Sequence, residues 1–325
     1  MIKAENGYVP DPKAFPAVMK QIHDVNLPEF PEFEVVALNR LLDSSNITYA
    51  EWNEIGGIIS ERYDDFDGFV VLHGTDTMAY TASALSFMLE GLNKPVVFTG
   101  SQIPLSALRS DGIDNLVTSM LVATSEEVSE VCLYFGGELM RGNRVTKISA
   151  DDLLAFSSPN YPRLADVGTS IVYRKKFLAE KTESSLKLQK IDSVPIGVLK
   201  IFPGMQYSLF EPIFTGGMRG VVLEAFGAGN IPDGYAPEKF FDSAKKNNVI
   251  LTVCSQCNSG NVSLGTYEAS RRLKDAGAVS GHDMTTEAAV AKLYYLFSKY
   301  PDDIEKVKRL METNIRGELS EKDDL

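Results

Sequence analysis

The sequence feature that most constrains the fold is the segment at residues 68–78, which is Gly-Phe-Val-Val-Leu-His-Gly-Thr-Asp-Thr-Met. Its valine-rich apolar run at 69–72 is typical of a strand that is buried on both faces of a parallel sheet. A helical pattern follows at about 79–90, and a second apolar run covers 95–98. The segment therefore predicts a strand–helix–strand unit whose first strand ends in a turn of small polar residues.

This turn is a candidate binding site because ligands of open α/β sheets bind beyond the carboxyl ends of the strands. Thr75 offers a hydroxyl group, Asp76 offers a carboxylate, and Gly74 lets the backbone approach a ligand closely. The local alternative is that Thr75, Asp76 or Thr77 caps the following helix, since these side chains accept hydrogen bonds from free N–H groups. The segment by itself leaves both interpretations open.

Length and the rhythm of apolar segments predict two domains. The chain has 325 residues, and about 150 residues per domain is the usual expectation. A polar, charged stretch at 179–195 separates two α/β patterns. We therefore place an N-terminal domain at 1–178, a linker at 179–195 and a C-terminal domain at 196–325. Strands are predicted at 33–38, 69–72, 95–98 and 131–135 in the first domain, and at 196–201, 220–223 and 249–253 in the second.

The charge and the apolar pattern exclude several classes of partner. The net charge is −12, from 44 acidic and 32 basic residues, which repels phosphate backbones, so no nucleic-acid partner is expected. No apolar run reaches the roughly 18 residues of a membrane span, and the first residues lack the apolar core of a signal peptide. We therefore expect no membrane partner.

The cysteine and histidine pattern predicts no metal and no cofactor. Three cysteines are a sparse, odd count, which fits a reducing compartment. Cys254 and Cys257 have Cys-x-x-Cys spacing, but none of the three histidines stands at a ligand-like distance from them. Glycine-rich nucleotide-binding motifs are also missing.

A second cluster of small polar residues, Asp43, Ser44 and Ser45, lies between a predicted strand and a helix. The start of that helix is marked by a capping box, in which Thr48 and Glu51 satisfy backbone N–H groups. The box explains Thr48 and Glu51 but leaves the serines free to point into a site. The alternative is that they are ordinary loop residues.

Several motifs together resemble the bacterial-type L-asparaginases, and most of all their cytoplasmic, type I members. They are His73-Gly74-Thr75-Asp76-Thr77, Thr99-Gly100-Ser101-Gln102, Arg109-Ser110-Asp111-Gly112, Asn115-Leu116, Arg141-Gly142-Asn143-Arg144 with Thr146-Lys147, Gly227-Ala228-Gly229-Asn230 and Arg316-Gly317-Glu318-Leu319. The resemblance runs along essentially the whole chain. It implies a larger N-terminal α/β domain with a parallel sheet and a smaller flavodoxin-like α/β domain. It also implies a cytoplasmic hydrolase that converts L-asparagine and water to L-aspartate and ammonia without a cofactor.

The resemblance assigns catalytic roles to three residues. Hydrolysis of an amide requires a nucleophile, a base, donors for the oxyanion and an acid for the leaving group. By resemblance, Thr75 and Lys147 form a relay in which Lys147 takes a proton from the Thr75 hydroxyl, and Asp76 orients Lys147 or holds the substrate ammonium. The backbone N–H of Thr75 is the expected oxyanion donor. Taken alone, Lys147 would be interpreted as a solvated surface lysine in a β-like stretch.

The resemblance also implies a substrate-binding shell and an oligomer. Ser44 binds the substrate carboxylate together with Ser45, Asp43 is a further substrate-binding residue, and Tyr8 closes over the substrate from a mobile loop. Asn230 reaches the site from the neighbouring subunit. The implied assembly is a homodimer or homotetramer with the active site at the subunit interface.

Two departures from the family pattern limit what the resemblance carries over. The family has a strand that ends in Thr-Gly-Gly-Thr-Ile-Gly and holds the primary nucleophile, and this motif does not occur in the sequence given. Neighbours of that strand are expected to expose apolar surface and backbone groups, at about 1–3 kcal/mol for each unpaired buried group. Some type I members are regulated by a second asparagine, which an arginine helps to hold. Thr146 and Cys257 fit the region of that site, but Glu224 stands where the arginine is expected. We therefore do not carry over that regulation.

Two alternatives remain open from the sequence. One is an amino-acid-binding or regulatory module without catalysis. The other is an amidase like the subunit of the tRNA-dependent amidotransferases, which the charge of −12 disfavours. The preference for asparagine over glutamine and the choice between dimer and tetramer are also open.

Overall fold

The structure is a computed structural model that describes residues 2–4, 7–9, 19, 20, 22–38, 40, 42–232, 237–265 and 268–320. Within these ranges, the side chains of residues 2–4, 7–9, 268 and 269 are not described. The chain forms two compact units, one of Met1–Ser158 with Pro162–Gln189 and one of Pro159–Tyr161 with Lys190–Leu325. The domain boundaries that composition predicts, at 178 and 196, stay a prediction.

The first unit contains twelve described strands and three described α-helices. The strands are β1 (Ile2–Ala4), β2 (Gly7–Val9), β3 (Phe69–Leu72), β4 (Leu89–Glu90), β5 (Val96–Thr99), β6 (Val131–Phe135), β7 (Glu138–Arg141), β8 (Thr146–Lys147), β9 (Phe156–Ser157), β10 (Ala165–Val167), β11 (Ile171–Tyr173) and β12 (Lys187–Leu188). The helices are α1 (Tyr49–Glu61), α2 (Met78–Met88) and α3 (Gly112–Ala123).

A six-stranded sheet with the order β11-β10-β7-β6-β5-β3 forms the centre of this unit. The strands β3, β5 and β6 are parallel, with Leu72 paired to Thr99 and Phe98 paired to Leu133. Beyond β6 the neighbouring strands are antiparallel. The predicted α/β class is confirmed, and the sheet is mixed rather than parallel throughout. The parallel part carries the polar turn predicted at 73–77.

Local sequence explains where these elements begin and how deeply they lie. All five residues of β6 are buried, as its apolar sequence Val-Cys-Leu-Tyr-Phe requires. The helix α1 begins at the predicted capping box, because Glu51 Oε2 accepts from Thr48 N at 2.8 Å and Thr48 Oγ1 accepts from Ala50 N at 3.2 Å. Nine of the eleven residues of α2 are buried, so this helix forms much of the core.

The strand predicted at residues 33–38 is wrong, because these residues adopt no regular secondary structure. Phe33, Val35 and Val36 are exposed there, and β3 lies at the edge of the sheet with Leu72 exposed. An apolar segment becomes a strand only when its backbone groups find a neighbouring strand. Among the described residues, β3 pairs with no strand on its outer side. This agrees with the exposure that we expect for a sheet without the Thr-Gly-Gly-Thr strand.

The second unit is built on a four-stranded parallel sheet whose strands follow chain order. Its strands are β13 (Ile196–Lys200), β14 (Gly220–Ala225), β15 (Ile250–Ser255) and β16 (Val279–Ser280), and its helices are α4 (Pro237–Lys246), α5 (Glu268–Asp275), α6 (Thr286–Lys299) and α7 (Ile304–Met311). The three strands predicted in this half, at 196–201, 220–223 and 249–253, are confirmed within a few residues. In both units, the described helices are all too short or too polar to cross a membrane.

Candidate active site

The carboxyl ends of β3 and β5 lie side by side, which brings two polar turns together. The N–H of His73 donates to Thr99 O at 2.9 Å and so continues the β3–β5 pairing beyond Leu72. A Cβ atom on Gly74 would lie 2.6 Å from Ser44 Oγ, and one on Gly100 would clash with the backbone oxygen of His73. Glycine is therefore favoured at 74 by the close Ser44 side chain and required at 100 by the backbone of His73.

Lys147 reaches this turn from a separate hairpin formed by β8 and β9, in which it pairs with Phe156. Its Nζ atom donates to Thr75 Oγ1 at 2.8 Å and to Asp76 Oδ1 at 2.7 Å. The Lys147 side chain is 18% exposed, whereas that of Asp76 is 64% exposed. The structure thus brings together Thr75, Asp76 and Lys147, which we call the hydroxyl–amine–carboxylate cluster.

Gln102, which the sequence analysis named only within a motif, fixes the direction of the Thr75 hydroxyl. The amide nitrogen of Gln102 donates to Asp152 O at 3.1 Å, so its Oε1 atom faces Thr75. Because Oε1 can only accept, the Thr75 hydroxyl donates to it at 3.1 Å and accepts from Lys147. The hydroxyl proton therefore points away from the amine in this state. Rotation of the hydroxyl about the Cβ–Oγ1 bond would direct the proton towards Lys147 instead.

The alternative that this turn merely caps the next helix is wrong. Thr77 precedes α2, but its side chain makes no capping hydrogen bond. Instead, Thr77 Oγ1 donates to Ser44 O at 2.7 Å, which ties the turn to the second polar cluster. Thr75 and Asp76 are engaged with Lys147. The polar side chains of the turn thus make tertiary contacts.

Asp111 and Asn115, from two of the family motifs, hold the turn that carries Gln102 through hydrogen bonds. Both carboxylate oxygens of Asp111 accept from backbone N–H groups, from Gln102 at 3.0 Å and from Ile103 at 2.9 Å. Asn115 is buried and donates to Gly100 O at 3.0 Å and to Asp111 at 3.2 Å. These motif residues therefore shape the site without belonging to the cluster itself.

The cluster Asp43–Ser45 is divided between two environments. Ser44 is buried against the turn at Gly74. The N–H and hydroxyl of Ser45 donate to Asp43 Oδ1 at 2.9 and 2.8 Å, and these hydrogen bonds lower the pKa of Asp43. The structure therefore places Ser44 at the candidate site, while Asp43 and Ser45 bind each other. Their roles in substrate binding stay predictions.

Two further predicted residues are placed only in part. Tyr8 lies on β2, and its side chain is outside the described residues. Asn230 belongs to the second unit, where Phe226 and Asn230 form a tight bridge after β14. The Oδ1 atom of Asn230 is buried and has no hydrogen-bond partner among the described residues. The reach of Asn230 into a neighbouring subunit stays a prediction.

His73 lies directly beneath the turn and is buried without any charged partner. Desolvation lowers the pKa of its imidazole to about 4. Its ring contacts Gly74 O at 2.6 Å and Thr81 Oγ1 at 2.9 Å. In the sequence, His73 is distinguished only as part of the polar turn and of the family motif, and it has no ligand-like spacing to the cysteines. The adjacent buried Thr81 comes from α2, so no sequence pattern indicates this contact.

The depressed pKa of His73 predicts a loss of stability in acid. An unfolded His73 takes up a proton near pH 6.5, whereas the folded ring does so only near pH 4. Its contribution is therefore complete above pH 6.5 and is lost as the pH falls towards 4. We expect this group to lower the free energy of unfolding by about 2 kcal/mol between pH 7 and pH 5. Urea unfolding at both pH values would measure it, with His73→Asn as the control, and an equally steep loss in that variant would contradict the assignment.

The described residues contain no group of three or more histidine, cysteine, aspartate or glutamate side chains arranged to hold a metal ion. The three cysteines are free thiols, of which Cys132 and Cys254 are buried and Cys257 is exposed. Burial raises the pKa of Cys254 to about 12. That thiol therefore stays protonated at neutral pH and is a poor metal ligand or nucleophile.

Comparisons with known proteins give the same family for both halves of the chain. Residues 2–178 match the family profile described as "Asparaginase, N-terminal", and residues 195–311 match "Glutaminase/Asparaginase C-terminal domain". The chain is 41% identical to L-asparaginase 1 of Escherichia coli K12 over 323 residues, which cover 99% of this chain and 95% of that protein.

Two solved structures resemble the whole chain. The crystal structure of L-asparaginase I from Vibrio cholerae superposes with a TM-score of 0.89 at 40% identity, and covers 98% of this chain and 95% of its own. The thermostable L-asparaginase of Thermococcus kodakarensis superposes with a TM-score of 0.87 at 31% identity, with the same coverage.

Proposed function

The chain belongs to the asparaginase family, and on that premise we propose that it hydrolyses L-asparagine to L-aspartate and ammonia. The observation that carries the proposal is the contact of Lys147 Nζ with both Thr75 Oγ1 and Asp76 Oδ1, at 2.8 and 2.7 Å. A hydroxyl, an amine and a carboxylate in direct contact provide a nucleophile, a base and a group that orients the base. The same arrangement needs no metal and no cofactor.

In the proposed reaction, the neutral amine of Lys147 takes the proton of Thr75 Oγ1, and the oxygen attacks the side-chain amide carbon of asparagine. The Lys147 ammonium then gives its proton to the amide nitrogen, and the C–N bond breaks to release ammonia. Water attacks the resulting aspartyl ester, with Lys147 again as the base, and releases L-aspartate and the free Thr75 hydroxyl. Asp76 holds the lysine in reach through both steps.

The proton path is supported by the contacts of Thr75 Oγ1. Its hydroxyl lies between Gln102 Oε1 at 3.1 Å and Lys147 Nζ at 2.8 Å. With Lys147 protonated, the amine donates to Thr75 and the hydroxyl donates to Gln102. With Lys147 neutral, its lone pair can accept the hydroxyl proton, so a rotation of one O–H bond prepares the nucleophile.

The proposed oxyanion donor is the backbone N–H of Thr75, because the tetrahedral intermediate forms on the neighbouring Oγ1 atom. Ser44, at the edge of the turn, and the Asp43–Ser45 pair are proposed to bind the charged groups of the amino-acid end of the substrate. Tyr8 is proposed to close over the substrate. Asn230 is proposed to contact it from a second copy of the chain, in a cytoplasmic homodimer or homotetramer.

The direct test is ammonia release from L-asparagine by the purified chain, with L-glutamine measured in parallel. We expect saturable ammonia release from asparagine, and the parallel assay measures the preference between the two amides. Saturable binding of asparagine without any ammonia would contradict the proposal and favour the non-catalytic binding module instead.

A further inference from the structure

Three buried polar side chains form a chain of hydrogen bonds beneath the proposed nucleophile. Trp52 Nε1 on α1 lies 3.1 Å from Thr81 Oγ1 on α2, and Thr81 Oγ1 lies 2.9 Å from His73 Nε2. His73 Nδ1 lies 2.6 Å from Gly74 O. Thr81 is fully buried, and Trp52 and His73 are nearly so. The chain thus connects the interior of the helical layer to the turn that carries Thr75.

Chemistry fixes the direction of every bond in this chain. An indole N–H can only donate and a carbonyl oxygen can only accept, so Trp52 donates to Thr81 and His73 Nδ1 donates to Gly74 O. A neutral imidazole carries one hydrogen, which leaves Nε2 as an acceptor for the Thr81 hydroxyl at 2.9 Å. The other acceptor within reach of that hydroxyl, Thr77 O, lies farther away at 3.3 Å. The desolvated ring has a pKa of about 4, so it is neutral near pH 7. One tautomer of His73 therefore satisfies all the partners.

The end point of the chain is the peptide group between Gly74 and Thr75. The Gly74 carbonyl and the Thr75 N–H belong to the same planar trans unit, in which they point in opposite directions. A hydrogen bond that fixes the carbonyl therefore also fixes the direction of the N–H. That N–H is the proposed oxyanion donor, and its Cα carries the proposed nucleophile.

We propose that His73, held by Thr81 and Trp52, is a positioning residue that aims the Thr75 N–H at the oxyanion through the Gly74 carbonyl. This inference rests on the proposed amide hydrolysis. Gly74 is exposed and has no side chain, so its peptide would otherwise rotate readily. The hydrogen bond from His73 Nδ1 to the Gly74 carbonyl removes that freedom on the side of the turn that faces the core.

Two substitutions at His73 separate the two bonds of the ring. The short amide of His73→Asn can place its nitrogen near the Nδ1 position and keep the bond to Gly74 O. The longer amide of His73→Gln reaches the Nε2 position, so it keeps the hydrogen bond with Thr81 and loses the one to Gly74 O. Removing an oxyanion donor in enzymes lowers kcat by roughly 10²–10³-fold. We expect His73→Gln to lower kcat by about 100-fold with KM changed less than about threefold, and His73→Asn to lose clearly less.

Thr81 provides the second matched pair, should a His73 variant fail to fold. Thr81→Val keeps the shape but removes the hydroxyl, whereas Thr81→Ser keeps it. We expect valine to lower kcat with little change of KM, and serine to restore most of the loss. Circular dichroism confirms that each variant is folded. Equal kcat values in folded His73→Gln and His73→Asn, or in folded Thr81→Val and Thr81→Ser, would overturn the proposal.

A spectroscopic measurement separates failure of this inference from failure of the proposed function. Trp52 is the single tryptophan of the chain, so its indole N–H gives one signal in a nitrogen-15 spectrum. We expect that signal to shift in Thr81→Val, and the His73 ring to carry its proton on Nδ1. If the protein hydrolyses neither asparagine nor glutamine, the proposed function fails, while these two signatures still support the hydrogen bonds from Trp52 through Thr81 and His73 to Gly74. A proton on Nε2 would overturn it whether or not the protein is active.

Discussion

Replacing Lys147 by methionine is expected to reduce ammonia release from asparagine by at least about 10³-fold while the protein stays folded. Methionine keeps much of the length of the side chain but cannot accept the proton of Thr75 Oγ1. Asp76, which loses its partner, is 64% exposed and stays hydrated, so no buried charge is left behind. The loss should therefore appear in kcat, with the free energy of unfolding changed by less than about 1 kcal/mol.

Two controls make this result specific to proton transfer. Lys147→Arg keeps the positive charge but cannot be deprotonated, so it should be as inactive as methionine if Lys147 is the base. Lys187→Met removes an exposed lysine from another short strand, β12, and should leave turnover unchanged. Steady-state kinetics of the three variants, with thermal unfolding in parallel, measures the contrast. Activity within tenfold of wild type in Lys147→Met would contradict the proposed relay.

Lys147 also shows which part of the site could be predicted from the sequence. The stretch around it has a β-like pattern, and Lys147 lies on the short strand β8. The pattern itself favoured a surface lysine, because Thr75 and Asp76 lie 72 and 71 residues earlier in the chain. Spacing along a strand or helix carries no information over such distances. Only the resemblance to a family connected these residues before the structure was known.

The elements of the fold were predictable wherever short-range physics decides. The capping box fixes the start of α1, and the fully apolar sequence of β6 requires burial on both faces. The irregular structure of 33–38 was not predictable in this way, because an apolar segment becomes a strand only with a neighbour to pair with. The antiparallel half of the first sheet was missed for a similar reason, since apolar runs do not show the direction of the next strand.

The polar contacts beneath the site were not predictable at all. His73, Thr81 and Trp52 come from three elements, and Gln102 meets Thr75 across two neighbouring strand ends. In the sequence each is an ordinary polar or aromatic residue beside an apolar run. Their hydrogen bonds are obligatory only because folding removes water from them, and that burial is a property of the packed unit.

A buried ion pair in the second unit predicts the largest effect on stability. Lys292 on α6 and Glu318 form a salt bridge in which both side chains are fully buried. Lys292 Nζ also donates to Met311 O at 3.0 Å and to Thr313 O at 2.6 Å, and Glu318 accepts from Arg316 N at 2.7 Å. Burial lowers the pKa of Lys292, and the adjacent Glu318 opposes that shift. The pair therefore ties the segment after α7 to the core through hydrogen bonds at both ends.

We expect Lys292→Met to lower the free energy of unfolding by about 3–5 kcal/mol, because it leaves the Glu318 carboxylate buried without a cation. The double variant Lys292→Met with Glu318→Gln removes that charge and should recover part of the loss, although methionine and glutamine do not restore the bonds to Met311 and Thr313. Lys245→Met, at an exposed position of α4, is the matched control and should change stability little. Urea unfolding of the full chain followed by circular dichroism measures all three. If Lys292→Met alone stays within about 1 kcal/mol of wild type, the pair does not hold this segment as the geometry predicts.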